Sequence, residues 1–415
     1  MVNANDFKGN NDSEIINNAI KNRHSDGIVI IPPRNLENDK ERNYWLLDSA
    51  ILLPRNTVVI LQNCKIKLSD NCRDNFFRTA NCGMGIEFPE RISNVHIRGE
   101  GLCILEGADR PRATGDSSKL IHAPCPHKSE DICKIADWIP EEKRKAGQID
   151  FWDIHDHSYG TDAGKPEESQ YGDWRGIGVL FACISNFSIS NIKIVRPHGW
   201  GISIEDGANG IIEKIDFDAT MYKEIDGMLM NMENQDGIDI RNGCHHITIS
   251  DITGHTGDDV IALTAIKKGD YKPGGSLRNT HVMHNDWTKR DCNIHDITIR
   301  NVNAHSYLCY PIRLLPGSTH IYNVIIDGIT DPAPNCYTIV CGTFGTYGDN
   351  FKDGLRNIIV TNVNCHSKAV MGVHGYLLDS VVSNVINKNP EGKIFDARYE
   401  DSICNVQCAG CIEHS

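Results

Sequence analysis

Runs in which apolar and polar residues alternate recur over nearly 300 residues of this chain, often with an asparagine among them. They include Ile92-Ser93-Asn94-Val95-His96-Ile97, the segment from Ile184 to Ile194, and His246-Ile247-Thr248-Ile249-Ser250-Asp251-Ile252. Others run from Ile294 to Val302, from His320 to Ile326, from Arg356 to Val363 and from Ser380 to Val385. A period of two puts the Ile and Val residues on one face of a strand and the polar residues on the other. Asparagine and glycine suit the corners, because they tolerate left-handed backbone. Runs of one texture, at steps of roughly 20 to 50 residues, predict a solenoid whose coils pack only on their neighbours. A sandwich or a barrel is the alternative reading of the same alternation.

The N-terminal segment has a different character. Asn11-Asp12-Ser13-Glu14 offers helix caps, and Ile15, Ile16, Ala19 and Ile20 follow at helical spacing. Asp26-Gly27 then turns into Ile28-Val29-Ile30-Ile31, a short strand stopped by Pro32-Pro33. One helix ahead of the strands fits a cap over the open end of a solenoid. A length of 415 residues would ordinarily suggest several domains. A solenoid core grows along its axis, so residues 1–415 are read as a single domain. Residues 107–175 break the pattern with a charged run, Glu141-Glu142-Lys143-Arg144-Lys145, and with Trp138, Phe151, Trp152, Tyr159, Tyr171 and Trp174. That stretch is read as a loop or lid insertion.

A net charge of −13 argues against nucleic acid as a partner, since phosphate binding needs clustered Lys and Arg. No stretch approaches the roughly 20 apolar residues of a membrane span. The 16 cysteines are scattered among apolar and strand-like residues, as at Cys103, Cys183, Cys341 and Cys365, and are read as reduced thiols. Met1-Val2-Asn3-Ala4-Asn5-Asp6-Phe7 has neither a basic start nor an apolar run. A cytoplasmic location is therefore expected, or secretion if a signal segment has been removed. Cys404, Cys408 and Cys411, and Cys125-Pro126-His127 near Cys133, have some ligand-like spacing but no convincing second pair. No metal and no cofactor are expected. Oligomeric state is not legible.

Acidic and basic residues recur at nearly one spacing. Asn234-Gln235-Asp236-Gly237-Ile238-Asp239-Ile240 is followed by Gly257-Asp258-Asp259-Val260-Ile261-Ala262-Leu263 and then by the run around His281. The steps from Asp236 to Asp258 and from Asp259 to His281 are each about 22 residues, and Arg313 lies about 32 residues further on, a coil-sized repeat. A chain that returns to the same place at each step would gather these groups on one face. Asp239 is read as a corner residue, and His284 competes with His281 for its role. His198 and Trp200, in Pro197-His198-Gly199-Trp200, are weighed as a subsite wall against plain packing.

These motifs resemble those of glycoside hydrolase family 28, the polygalacturonases and their relatives. The family pattern is Asn-Thr-Asp, then Gly- or Gln-Asp-Asp, Gly-His-Gly and Arg-Ile-Lys. Here the motifs read Asn234-Gln235-Asp236, Gly257-Asp258-Asp259, Thr280-His281-Val282 without the glycines, and Arg313-Leu314-Leu315 without the lysine. The resemblance extends to the Asp12-to-Pro33 segment and to Trp174-Arg175-Gly176 ahead of a strand. It implies a right-handed parallel β-helix and hydrolysis of a glycosidic bond with inversion.

Inversion needs one carboxylic acid to protonate the leaving oxygen and one carboxylate to activate water, about 6.5–9.5 Å apart. Neighbouring strands lie about 4.8 Å apart, so residues on adjacent coils have the right order of separation. Three carboxylates this close do not all ionise easily, so one should hold its proton near neutral pH. By resemblance that donor is Asp258, with Asp236 and Asp259 holding and deprotonating the water. His281 would sit one coil on from Asp259, tuning the acid or binding substrate. Arg313, Asn234 and His198 would contact the sugar, Arg313 through its oxygens or a carboxylate. Leucine at 315 removes the lysine that holds galacturonate in the family, and this makes a different sugar or a modified pectic oligosaccharide plausible. The competing readings are a β-helix polysaccharide lyase or epimerase, which needs a base beside a neutralised carboxylate, and a non-catalytic carbohydrate-binding solenoid.

Overall fold

The computed structural model describes residues 1–35, 42–72, 74–83, 86, 88–109, 173–220, 222–225, 228–231, 234–266, 281–282, 290–317, 319–343 and 350–412. Most of the expected insertion, from 110 to 172, lies outside the described residues, as do Cys125, His127, Cys133 and His284.

The described strands stack in parallel, coil upon coil. Val179–Val195 pairs with Ile202–Asp218 over its whole length. Ile202–Asp218 then pairs with Ile238–Arg241 at one end and His245–Thr256 at the other. Pairing continues through Ile294–Ser306 and Ile321–Cys341 to Leu355–Val373, Leu377–Asn387 and Ile403–Ile412. This is a parallel β-helix. Because every coil repeats the same in–out alternation, identical residues stack along the axis. One inner row runs Val29, Val59, Ile97, Ile189, Ile212, Ile249, Ile299, Ile326, Val360 and Val382, from coil to coil in register. All ten are buried. Burying such a side chain contributes about 1.5–3 kcal/mol, so the apolar rows hold the coils together.

The corners are left-handed. Asn56, Asn94, Asn186, Asn209, His246, Asp296, Asn323, Asn357, Asp379 and Asn405 all have φ between 51° and 59°. The pairs that flank them place them in register as one ladder. Their side chains bond along the axis, as in Asn94 Nδ2 to Asn56 Oδ1 at 2.7 Å and Asn186 Nδ2 to Asn94 Oδ1 at 2.6 Å. The corner asparagines expected from sequence therefore have two tasks, backbone geometry and axial hydrogen bonding.

The helix spans Asp12–Lys21, with the Asn11 side chain accepting from the Glu14 N–H as its N-cap. Ile15, Ile16, Ala19 and Ile20 are buried in the same apolar core as the first strands. Asp12 is also buried and accepts from Arg34 Nε, Arg42 Nη1 and the Leu46 N–H, which ties the helix to the chain that follows it.

Candidate active site

The face of the coil that ends at the first corner consists of short strands: Ile238–Arg241, Ile261–Thr264 and Ile312–Leu315, stacked on the start of Ile202–Asp218. Ile202, Ile238, Ile261 and Ile312 point into the core and are fully buried. The alternate residues point outward and form rows. Just before these strands, Gly201 N–H donates to Asp236 O, Gly237 N–H to Asp259 O, and Val260 N–H to Tyr310 O. Trp200, Asp236, Asp259 and Tyr310 are therefore one row on four successive coils. The next outward row is Ser203, Asp239, Ala262 and Arg313, and the one after it is Glu205, Arg241, Thr264 and Leu315.

Asp236 and Asp259 thus sit on adjacent coils, as expected, with Asp258 next to Asp259. The local scaffold explains why this turn is fixed. The Asp258 carbonyl accepts from Thr256 Oγ1 at 2.6 Å and from Ser306 Oγ at 2.7 Å, and Ser306 Oγ in turn accepts from the Cys309 N–H. Asp258 Oδ1 accepts from the Asp259 N–H at 3.1 Å. Gly257 and Asp258 N–H both donate to the Gln235 carbonyl, and Gln235 Nε2 is anchored to the Pro197 carbonyl at 2.8 Å. Main-chain bonds, together with the Thr256 and Ser306 hydroxyls and the Gln235 amide, fix the backbone of both acidic motifs.

Asp259 Oδ1 accepts from the Tyr310 N–H at 3.1 Å, and its Oδ2 lies 3.5 Å from Arg313 Nη1. Arg313 therefore faces Asp259 across one coil, and its guanidinium lies 5.9 Å from the Tyr310 ring centre. The Cys309 thiol shares the corner with Asp258 and Asp259, their ligand atoms all within 4.8 Å. Burial and the two neighbouring carboxylates push that thiol far up, so it stays protonated. Burial likewise pushes the Tyr310 phenol up to about 12.

Two expectations need correction. Asp239 is not at a corner. It lies within the strand Ile238–Arg241, pointing outward between Ser203 and Ala262, because the corner falls after Arg241. His281 is not the residue one coil on from Asp259. That place belongs to Tyr310, because Val260 N–H donates to the Tyr310 carbonyl and Ile261 pairs with Ile312. The 22-residue step to His281 matched the coil length by coincidence. His281 instead comes back against the outer row two positions along the strand. Its Nδ1 lies 2.9 Å from Glu205 Oε1 and its Nε2 donates to the Ile266 carbonyl at 2.8 Å. The carbonyl only accepts, so Nε2 carries hydrogen, and Nδ1 lies against the Glu205 carboxylate.

Glu205 was not singled out by any motif. It is 1% exposed and also accepts from the Val282 N–H. Burial would raise its carboxyl, but the His281 and Arg241 charges and the hydrogen bonds outweigh it and draw it down to about 2. Arg241, buried and stacked 4.7 Å from the Trp200 ring centre, carries the charge pattern on: Glu205, Asp239 and Asp236 all act on it. His281 is thus linked to Asp236 through Glu205 and Arg241. The only signal for Glu205 in the sequence was an acidic residue at an outward position of a strand, visible once the register is known.

Asn234 is buried and left-handed, with φ 60°, just ahead of Asp236. His198 is 3% exposed and its Nε2 accepts from the Ala108 N–H at 2.9 Å, which fits the packing reading given beside the subsite reading. Leu315, in the place of the family lysine, is fully buried with Leu180, Ala182, Ile266 and Val282.

Residues 163–289 match the family model described as glycosyl hydrolases family 28, a stretch that holds Asn234, Asp236, Asp258, Asp259 and His281. No curated protein matches the chain. Among solved structures, a hyperthermoactive exopolygalacturonase from Thermotoga maritima is similar at 16% identity, with a TM-score of 0.55, over 99% of this chain and 92% of that one. The tailspike of Escherichia coli bacteriophage HK620, solved with a pentasaccharide, is similar at 13% identity, with a TM-score of 0.51, over 98% of this chain and 65% of that one. The exopolygalacturonase of Yersinia enterocolitica family 28 is similar at 13% identity, with a TM-score of 0.49, over 99% and 78%. The solved structures share the fold, and the match to the family 28 model covers the stretch of that fold that carries the acidic motifs.

Proposed function

We propose that this protein hydrolyses a glycosidic bond of a pectic or related oligosaccharide with inversion at the anomeric carbon. The observation that carries the reading is the register: Asp236 and Asp259 are neighbours on adjacent coils, and Asp258 precedes Asp259 at a turn held by its own main chain. In this mechanism Asp258 gives its proton to the glycosidic oxygen as the bond to the anomeric carbon breaks. Asp236 and Asp259 orient a water on the opposite face of the ring and accept its proton as its oxygen attacks. Arg313, across from Asp259, faces that carboxylate with its guanidinium and presents N–H donors to sugar oxygens. The Glu205–His281 pair and Arg241 form the charged wall next to Asp236.

Leu315 bears on the substrate. Its side chain is packed in an apolar cluster and offers no cation where the family motif has lysine. This favours a sugar whose carboxylate is absent, esterified or read elsewhere, over unmodified polygalacturonate. The helix Asp12–Lys21 serves as the N-terminal cap, and the coil is right-handed as parallel crossovers nearly always are. The buried free thiols suit a reducing compartment.

Asp258→Asn is the direct test. It keeps the shape of the turn and removes the proton donor, so turnover should fall by about 10²–10⁴-fold, the usual contribution of a general acid, with the thermal unfolding curve retained. Near-normal turnover would reject the role. Assays on a panel of pectic and neutral oligosaccharides name the sugar, and the anomer first formed, read by proton NMR, checks inversion. Growth of an unsaturated-ring absorbance in place of new reducing ends would mean a lyase.

A further inference from the structure

The corner ladder departs from asparagine at three rungs, His246, Asp296 and Asp379, and the first two are adjacent metal-ligand residues. Where the rungs before and after carry Asn209 and Asn323, residue 246 is histidine and residue 296 is aspartate, both held left-handed at φ 54° and 55°. Beside them stands His295. The ligand atoms of His246, His295 and Asp296 all lie within 4.8 Å of one another. His246 Nε2 is 3.7 Å from Asp296 Oδ2, and His295 Nδ1 is 2.7 Å from the same oxygen.

The surroundings orient these groups as the outer shell of a metal site does. Asn323 Nδ2 donates to Asp296 Oδ1 at 3.0 Å, which turns Oδ2 toward the imidazoles. The His295 ring is stacked between His245, at 5.1 Å and 4°, and Tyr322, at 4.9 Å and 6°, so its plane is fixed. The His246 side chain is 57% exposed and that of Asp296 35%, so an ion reaches both from water.

We propose that His246, His295 and Asp296 form a binding site for a borderline divalent ion such as Zn²⁺, Ni²⁺ or Cu²⁺. Two imidazoles with one carboxylate suit these ions, whereas Ca²⁺ and Mg²⁺ take mainly oxygen ligands. Bonds of about 2.0–2.2 Å to such an ion place the ligand atoms roughly 3–3.5 Å apart, which a small rotation of the exposed His246 ring supplies. The ion takes the place of the contact between His295 Nδ1 and Asp296 Oδ2. It ties the strand His245–Thr256 to Ile294–Ser306 at the corner, on a different stretch of the coil from the strands that follow Asp236 and Asp259. Nothing in the sequence joined these residues, since the chain puts about 50 residues between His246 and His295 and only the register brings them together.

The test is calorimetric titration of the EDTA-treated full chain with ZnSO₄ and NiCl₂, beside two variants. His246→Asn restores the amide that seven other ladder positions carry at φ 53–59°, so it keeps the fold. His295→Phe keeps the aromatic stack. The wild type should take up one ion, and each variant should bind it more than about tenfold more weakly with the circular dichroism spectrum unchanged. Should one variant fail to fold, the other decides. Absence of uptake by the wild type would overturn the proposal. So would uptake unchanged in both variants, in particular uptake that stops hydrolysis and so points to the corner of Asp258, Asp259 and Cys309.

Discussion

Glu205 shows how one buried residue is able to organise a charged face. Its two carboxylate oxygens take a ring N–H of His281 and the Val282 main chain, and so draw the segment at 281–282 onto the outer row. The folded carboxyl lies near 2, below its ordinary 4.5. A depressed acid contributes stability that is fully present above its unfolded value and is lost as the pH falls through its folded value. The Glu205→Gln protein should therefore be less stable by about 3–5 kcal/mol at pH 7, because it breaks a buried pair and leaves His281 without its carboxylate partner. The gap to wild type should narrow between about pH 4.5 and 2. Urea unfolding at a series of pH values reads both, and a pH-independent gap would mean that the pair is not ionic.

At the scale of the element, the corner asparagines hold the backbone left-handed and bond axially. Asn94 both donates to Asn56 and accepts from Asn186 at φ 59°. Asn94→Ala loses the two bonds and places a Cβ-bearing residue without local compensation in left-handed backbone. The cost should be about 1–3 kcal/mol by urea unfolding, and Asn94→Gly should recover part of it because glycine relieves the backbone term alone. The short strands of the site work differently. Ile238–Arg241 alternates the inward Ile238 and Ile240 with the outward Asp239 and Arg241, so packing the core aims those charged side chains. A one-residue slip would turn the whole set around.

For the whole molecule, stability is a sum over coils and their contacts with neighbours. Among the described residues the strand Ile403–Ile412 pairs on one side, with Leu377–Asn387, and most of it is exposed. The strand His245–Thr256 has partners on both sides and buries Ile247, Ile249 and Ile252. Amide hydrogen exchange should be markedly faster across 403–412 than at Ile247, Ile249 and Ile252, and uniform protection by mass spectrometry would show that the stack unfolds as one cooperative unit.

The coil itself was legible because its determinants are local. An alternation of two and a left-handed asparagine each act within a few residues, and repetition turns them into a stack. The acidic motifs were legible for the same reason: Asp236 and Asp259 lie one coil apart in the chain as well as in space. The tertiary structure decided what depended on where a coil is interrupted. The pairing of Ile261–Thr264 with Ile312–Leu315 gave Tyr310 and Arg313, not His281, the places next to Asp259 and Ala262. His281 meets Glu205 instead. Step length along a sequence measures distance along the axis only while every coil has the same length. Where an excursion intervenes, register is set by which main-chain groups find partners, and that choice belongs to the folded stack.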